Sequence, residues 1–208
     1  MRKASRSKSN SDQSRAKVQG PKSESPGRKI SARPSRLSLN ARLRGIKLLI
    51  TDVDGVMTDG SIFITADGEF KQFGIQDGLG LVLLRRHGIK VGWISARPSI
   101  ITTKRAEELR IDFLSQDKIS KVAAAEKMIA ACGLSWAEVC FVGDDLVDLC
   151  LMKRAGVSVA VANGIEEVKA AADYVTAAPG GHGAVREVVT KILKAQGFWD
   201  GLVKTYTE

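Results

Sequence analysis

The feature that most constrains this chain is a repeated pattern of short apolar runs, each closing on a polar residue and each followed by a helix-length segment. Ile46–Ile50 ends in Thr51-Asp52, Val91–Ile94 ends in Ser95, and Val139–Val142 ends in Gly143-Asp144-Asp145. Runs of this length read as buried strands. The segments between them carry helical spacing: Leu79–Arg86, Ser99–Leu109, Lys121–Cys132, Leu146–Arg154, Ile165–Ala171 and Ala184–Ala195. A weak strand at Asp112–Leu114, a further run at Val157–Val161 and a short edge at Tyr174-Val175 complete the alternation. Strands alternating with helices imply an α/β fold, a Rossmann-like doubly wound parallel sheet covered on both faces. One interruption departs from the pattern. Ser61–Ile64 and Glu69–Phe73 flank Ala66-Asp67-Gly68, which reads as a small β-hairpin insertion.

Charge divides the chain. The net charge is +9 over 208 residues. Residues 1–40 hold eleven Lys and Arg against Asp12 and Glu24, and the remainder is balanced. The basic balance therefore belongs to a Ser-rich tail, expected to be disordered because it has too few aliphatics to offset the entropy of ordering. Residues 41–208 are expected to form one folded domain. Nucleic acid is expected to meet this protein only weakly, through the tail. Cys132, Cys140 and Cys150 form no CxxC pair and read as reduced thiols. No apolar run approaches the roughly 20 residues of a membrane span, and the start lacks the apolar core of a secretory signal. The expected compartment is the cytoplasm.

In open parallel sheets ligands bind beyond the carboxyl ends of the strands. Asp52 and Asp54 follow the first strand there, Ser95 and Arg97 the second, and Asp144, Asp145 and Asp148 a later one, while Lys121 opens a helix. Carboxylates brought together repel one another, and a divalent cation with oxygen preference, Mg²⁺, removes the conflict. In the spacing Asp52-x-Asp54 one carboxylate attacks phosphorus and the other protonates the leaving oxygen. The aspartyl-phosphate so formed splits one difficult displacement into two easier ones. Lys121 and the Ser95 hydroxyl supply further neutralisation of the phosphoryl group.

Asp52-Val-Asp54, Ser95, Lys121 and Gly143-Asp-Asp145 resemble, in order, the four motifs of the haloacid dehalogenase superfamily. Asp52–Gly60, the hairpin, Asp77-Gly-Leu-Gly80 and Gly180–Glu187 resemble more narrowly the 3-deoxy-D-manno-octulosonate 8-phosphate (KDO 8-phosphate) phosphatases, over about Leu43 to Gln196. The resemblance implies a phosphoric monoester hydrolase of lipopolysaccharide sugar synthesis with no large cap domain, acting on a small sugar-acid phosphate. It implies Asp52 as nucleophile and metal ligand. Asp54 would be the acid/base and would hold Mg²⁺ through its backbone carbonyl, Asp144 would be the third ligand, and Asp145 and Asp148 would orient that ligand. Ser95 and Lys121 would hold the phosphoryl group. Gly74, Ile75, Gln76, Asp77, Gly78, Arg97 and Arg105 match substrate-contacting positions. The resemblance also implies a homotetramer whose subunits close one another's sites, through the hairpin and the glycines at 180–183.

Departures from the family pattern leave the substrate open. Gln76 and Val82 stand where Arg is common, and His182 replaces an Arg. A nonulosonate (sialic-acid-like) 9-phosphate is the alternative sugar. Three rival readings are a phosphotransferase or mutase, which needs a water-excluding cap, a non-catalytic binding or assembly module, and a nucleic-acid protein working through its tail.

Overall fold

The computed structural model describes residues 37–66, 68–117 and 120–208. The expected disorder of the tail concerns residues that lie outside this set up to Arg36. The expected division at 40/41 runs through a helix, α1 (Leu39–Arg44), capped by the Ser38 side chain, which accepts from the Ala41 amide. Leu43 is buried, and Gln196 donates to the Leu43 and Ile46 carbonyls at 3.3 and 2.8 Å. The apolar residues of this turn dock on the domain, so α1 belongs to it.

The chain then runs β1 (Leu48–Thr51), β2 (Phe63–Thr65), β3 (Gly68–Phe70), α2 (Ile75–Arg86), β4 (Lys90–Ile94), α3 (Ile100–Glu108), β5 (Phe113–Ser115) and α4 (Lys121–Cys132). After β6 (Val139–Gly143) come α5 (Leu149–Met152), β7 (Val157–Ala160), α6 (Glu166–Ala171), β8 (Tyr174–Val175), α7 (Ala184–Ala195) and α8 (Trp199–Thr205). Six strands form one parallel sheet in the order β5-β4-β1-β6-β7-β8, and β2-β3 pair separately as an antiparallel hairpin. The α/β architecture is as expected from the sequence.

Side chains alternate across a strand, and the core divides accordingly. Leu49, Trp93, Cys140 and Val142 pack with Leu81, Leu84, Val188 and Ile192 of α2 and α7. Leu48, Ile50, Ile94 and Phe141 pack on the other face with Ala125, Met128 and Leu151 of α4 and α5. Each face is a two-layer apolar contact, and burying such a side chain contributes about 1.5–3 kcal/mol.

β1 lies at the centre. The chain proceeds from it to β4 and β5 on one side and to β6, β7 and β8 on the other. Such a reversal opens a crevice at the strand ends, and Asp52 is the first residue beyond β1.

Candidate active site

The loop after β1 is held rigidly. The Asp52 amide donates to the Val142 carbonyl at 3.0 Å, extending the ladder with β6 by one bond. The amides of Met57 and Thr58 turn back to the Val53 carbonyl. The fully buried Thr58 hydroxyl accepts from the Gly55 and Gly60 amides at 3.3 and 3.2 Å. Asp52 is therefore presented by backbone, with its Oδ1 accepting from the Val53 amide at 2.7 Å.

Lys121, the first residue of α4, bridges two carboxylates. Its Nζ lies 3.0 Å from Asp52 Oδ2 and donates to Asp148 Oδ1 at 2.7 Å. Asp148 is fully buried, and its second oxygen accepts from the amides of Asp144 and Asp145 at 2.9 and 3.3 Å. Asp148 thus fixes the backbone that carries Asp144. Asp145 differs: its exposed carboxylate caps the following turn by accepting from the Leu146 amide at 2.7 Å.

Asp52, Asp144 and Asp148 each offer an oxygen within 4.8 Å of the others. Three carboxylates against one ammonium leave excess negative charge. Burial, followed by the neighbouring Asp148, pushes the Asp52 carboxyl up to about 6 against the pull of Lys121. Burial, with Asp52 and Asp148, pushes Asp144 up to about 7. Burial alone would lower the Lys121 ammonium, but Asp52 and Asp148 outweigh it and hold it above the ordinary lysine value. Asp144 Oδ1 is buried without a partner. All-oxygen donors, surplus negative charge and an unsatisfied carboxylate oxygen fit a hard divalent cation such as Mg²⁺. Asp148 is fully buried and spent on Lys121 and the amides that carry Asp144, so the open Asp144 Oδ1, with Asp52 beside it, is the place for the ion.

Other expected residues fall into two groups. Ser95, just beyond β4 and 2% exposed, closes on Arg97: its hydroxyl accepts from the Arg97 amide at 3.0 Å and donates to that residue's carbonyl at 3.1 Å. Arg97 pairs with Glu69 of the hairpin at 2.5 Å, while its Nη1 is buried and unpartnered. The segment Gly74–Gly78 is not one exposed contact strip. Gly74 caps α2, and only Ile75 and Gln76 stand exposed. Asp77, expected at a substrate-contacting position, is bound within the chain. It is fully buried, and its two oxygens accept from the Gly183 and Arg186 amides at 3.0 and 2.8 Å, because the open amides at the start of α7 draw a carboxylate. Gly78 lies under the Arg105 guanidinium, which pairs with Glu108 at 2.7 Å and sits over the Phe73 ring.

The glycines at 180–183, expected to help close a neighbouring subunit's site, pack within this chain against the Asp52 loop. Gly181 donates to the Val56 carbonyl at 3.0 Å, and a Cβ on Gly180 would sit 1.8 Å from the Gly55 carbonyl oxygen. This segment braces the Asp52 loop of its own chain. Asn163 ties the same corner, donating to the Gly55 carbonyl at 3.3 Å and accepting from the Gly180 amide at 2.7 Å. His182 is exposed, and His87 caps the end of α2.

Lys71 escaped sequence reasoning. Its Nζ lies 2.6 Å from Asp54 Oδ1, and its side chain is wholly buried. The signal was available in the hairpin, where Glu69 and Lys71 are two apart and share a side.

The profile of haloacid dehalogenase-like hydrolases matches residues 93–188. With the parallel sheet and the aspartate cluster at its switch point, this sets the class of the protein, a hydrolase of the haloacid dehalogenase type. The chain is 39% identical to the 3-deoxy-D-manno-octulosonate 8-phosphate phosphatase KdsC of Haemophilus influenzae over 160 residues, which covers 76% of this chain and 89% of that protein. A crystal structure of the corresponding phosphatase from Moraxella catarrhalis, in complex with magnesium, phosphate and KDO, superimposes with TM-score 0.78 at 39% identity, covering 80% of this chain and 97% of that one. A cobalt-bound form from Haemophilus influenzae superimposes with TM-score 0.74 at 40% identity, covering 76% and 93%. The chain belongs to the 3-deoxy-D-manno-octulosonate 8-phosphate phosphatase family.

Proposed function

We propose that this protein hydrolyses KDO 8-phosphate to KDO and inorganic phosphate in a Mg²⁺-dependent reaction through a phosphorylated Asp52. The observation that carries this reading is the grouping of Asp52, Lys121, Asp144 and Asp148 at the end of the central strand. The names of its relatives favour the eight-carbon sugar over a nonulosonate.

Asp52 attacks phosphorus in line, and the bond to the sugar oxygen breaks as Asp54 delivers a proton to that oxygen. Water then attacks the phosphorylated Asp52. Asp54 takes its proton, and the Asp52–phosphorus bond breaks to release phosphate. Lys121 and Ser95 steady the phosphoryl oxygens, for which Ser95 must give up its bond to the Arg97 carbonyl. Mg²⁺, held by the carboxylates of Asp52 and Asp144 and the Asp54 backbone carbonyl, would neutralise charge on the transferred group. Arg97, with one nitrogen unpartnered, and the exposed Gln76 are the candidates for meeting the sugar acid. The cytoplasm, where free thiols persist, suits Cys132, Cys140 and Cys150, and a homotetramer suits the exposed apolar side of the hairpin.

Phosphate release from KDO 8-phosphate and from a nonulosonate 9-phosphate, each with and without Mg²⁺, tests this reading. A preference for the first of at least about tenfold in kcat/KM is expected, a difference of roughly 1.4 kcal/mol. Preference for the second would tie the missing arginines at 76 and 82 to a shifted substrate.

A further inference from the structure

The hairpin β2–β3 has two unlike sides. Phe63 and Phe70, partners across the ladder, are half exposed and stack with ring centroids 5.2 Å apart. Glu69 and Lys71 instead reach α3 and the catalytic loop of their own chain. Glu69 accepts from Arg97 at 2.5 Å and from the Ser99 hydroxyl at 2.6 Å. Lys71 goes deeper. Its Nζ meets Asp54 Oδ1 at 2.6 Å and donates to Thr102 Oγ1 at 3.3 Å, with none of its side chain exposed.

A fully buried ammonium is costly unless an opposite charge answers it. Here the answering charge is Asp54, and the neutral Thr102 hydroxyl only steadies the head group. The ion pair is made at Oδ1, and the Asp54 side chain keeps 22% of its surface open on the site. Lys121, shared with Asp148, pairs with Asp52 at 3.0 Å. The two carboxylates of the Asp52-x-Asp54 pair are therefore gripped by two different buried lysines, one from α4 and one from the hairpin.

We infer that Lys71 is a positioning residue for Asp54, holding its carboxylate where it takes a proton from the water that attacks phosphorylated Asp52. In that step one O–H bond of water breaks and its proton passes to Asp54. The water oxygen bonds to phosphorus, and the Asp52–phosphorus bond breaks with its electron pair returning to Asp52. The inference rests on the phosphatase reading above. It adds that the hairpin supplies a working part to the site of its own chain.

p-Nitrophenyl phosphate separates the two steps, because its leaving group needs no proton and kcat/KM reports only events up to the first phosphoryl transfer. Lys71→Met is expected to lower kcat on this substrate about 100-fold, the low end of what general acid–base catalysis contributes. KM should fall in parallel, leaving kcat/KM within about threefold of the native value, and a burst of nitrophenolate near one equivalent per site should precede the slow turnover. Lys71→Arg, which keeps the charge, should recover kcat to within about tenfold. Thr102→Val loosens Lys71 alone and should show a smaller parallel fall in kcat and KM. A Lys71→Met enzyme that loses kcat/KM as much as kcat with no burst, or that keeps full kcat, overturns the inference. Should Lys71→Met fail to fold, unchanged kinetics in Thr102→Val overturn it. Failure of the underlying reading looks different: native enzyme would release no phosphate, or Asp52→Asn would remain active.

Discussion

At the scale of single residues, the arrangement turns on charge held out of water. Asp52 is 7% exposed and faces Lys121, and Asp52→Asn keeps its size while removing the attacking oxygen. That variant should lose at least about a thousandfold in turnover with an unchanged circular dichroism spectrum; substantial residual activity would exclude Asp52 as nucleophile. The carboxyls of Asp52 and Asp144 stand at about 6 and about 7, against 3.8 for an ordinary aspartate. Between these limits the folded protein binds more protons than the unfolded chain, so in the metal-free protein this site favours folding at low pH and loses that contribution as pH rises from about 4 to 7. Mg²⁺ binds the ionised carboxylates and reverses the loss. Its effect on thermal unfolding should therefore be larger at pH 8 than at pH 5 by at least about 3 °C, and an equal shift at both would contradict the cation site. Spacing along the chain was enough to pick out Asp52, Lys121, Asp144 and Asp148, because each follows a strand or opens a helix. It did not reveal that the amides of a distant helix hold Asp77, since a carboxylate in such a segment reads the same whether it meets a ligand or a helix start. It passed over Lys71, whose one signal is its place two residues after Glu69 on the inner side of the hairpin.

At the scale of elements, most of the alternation was legible, and the misses have physical causes. α2 begins at Ile75, four residues before its expected start at Leu79, because glycines at 78 and 80 weaken the helical signal. They stand where Arg105 and Arg186 pack closely on the helix, at 2.6 and 3.2 Å from where a Cβ would sit. α8 carries no buried residue and so no apolar period to detect. The hairpin strands are shorter than expected, Phe63–Thr65 and Gly68–Phe70, since the residues beyond them turn toward the site. The brace formed by residues 180–183 can be tested alone. Gly180→Ala would place a methyl group 1.8 Å from the Gly55 carbonyl oxygen, a backbone atom that cannot swing aside. Activity should fall at least about tenfold, with global unfolding changed far less than by truncating a core aromatic, which costs about 3–5 kcal/mol. Native activity in this variant would show that the loop tolerates displacement.

At the scale of the whole molecule, the hairpin again decides the expectation. Phe63, Ile64 and Phe70 are 50, 80 and 52% exposed, and Ile75 and Ile100 are 75 and 64% exposed. Apolar surface of this kind is what the proposed assembly would cover. Sedimentation of the full chain should give a tetramer, and Ile64→Asp, which places a charge on that surface, should shift it toward smaller species; a native monomer would remove the assembly proposal. Among the described residues no helix is long and apolar enough to cross a membrane.

The bracing loop also bears on how this protein can change over generations. Gly180 and Gly181 are pressed against backbone, where a side chain of any kind collides, and Gly183 holds a left-handed φ of +103°. Of these four residues only His182 is exposed on the chain. Drift along this stretch has a single outlet, and it is the position where this chain carries His182 in place of the arginine common in the family it resembles. A change there alters the side chain presented above the Asp52 loop without moving the backbone that braces it.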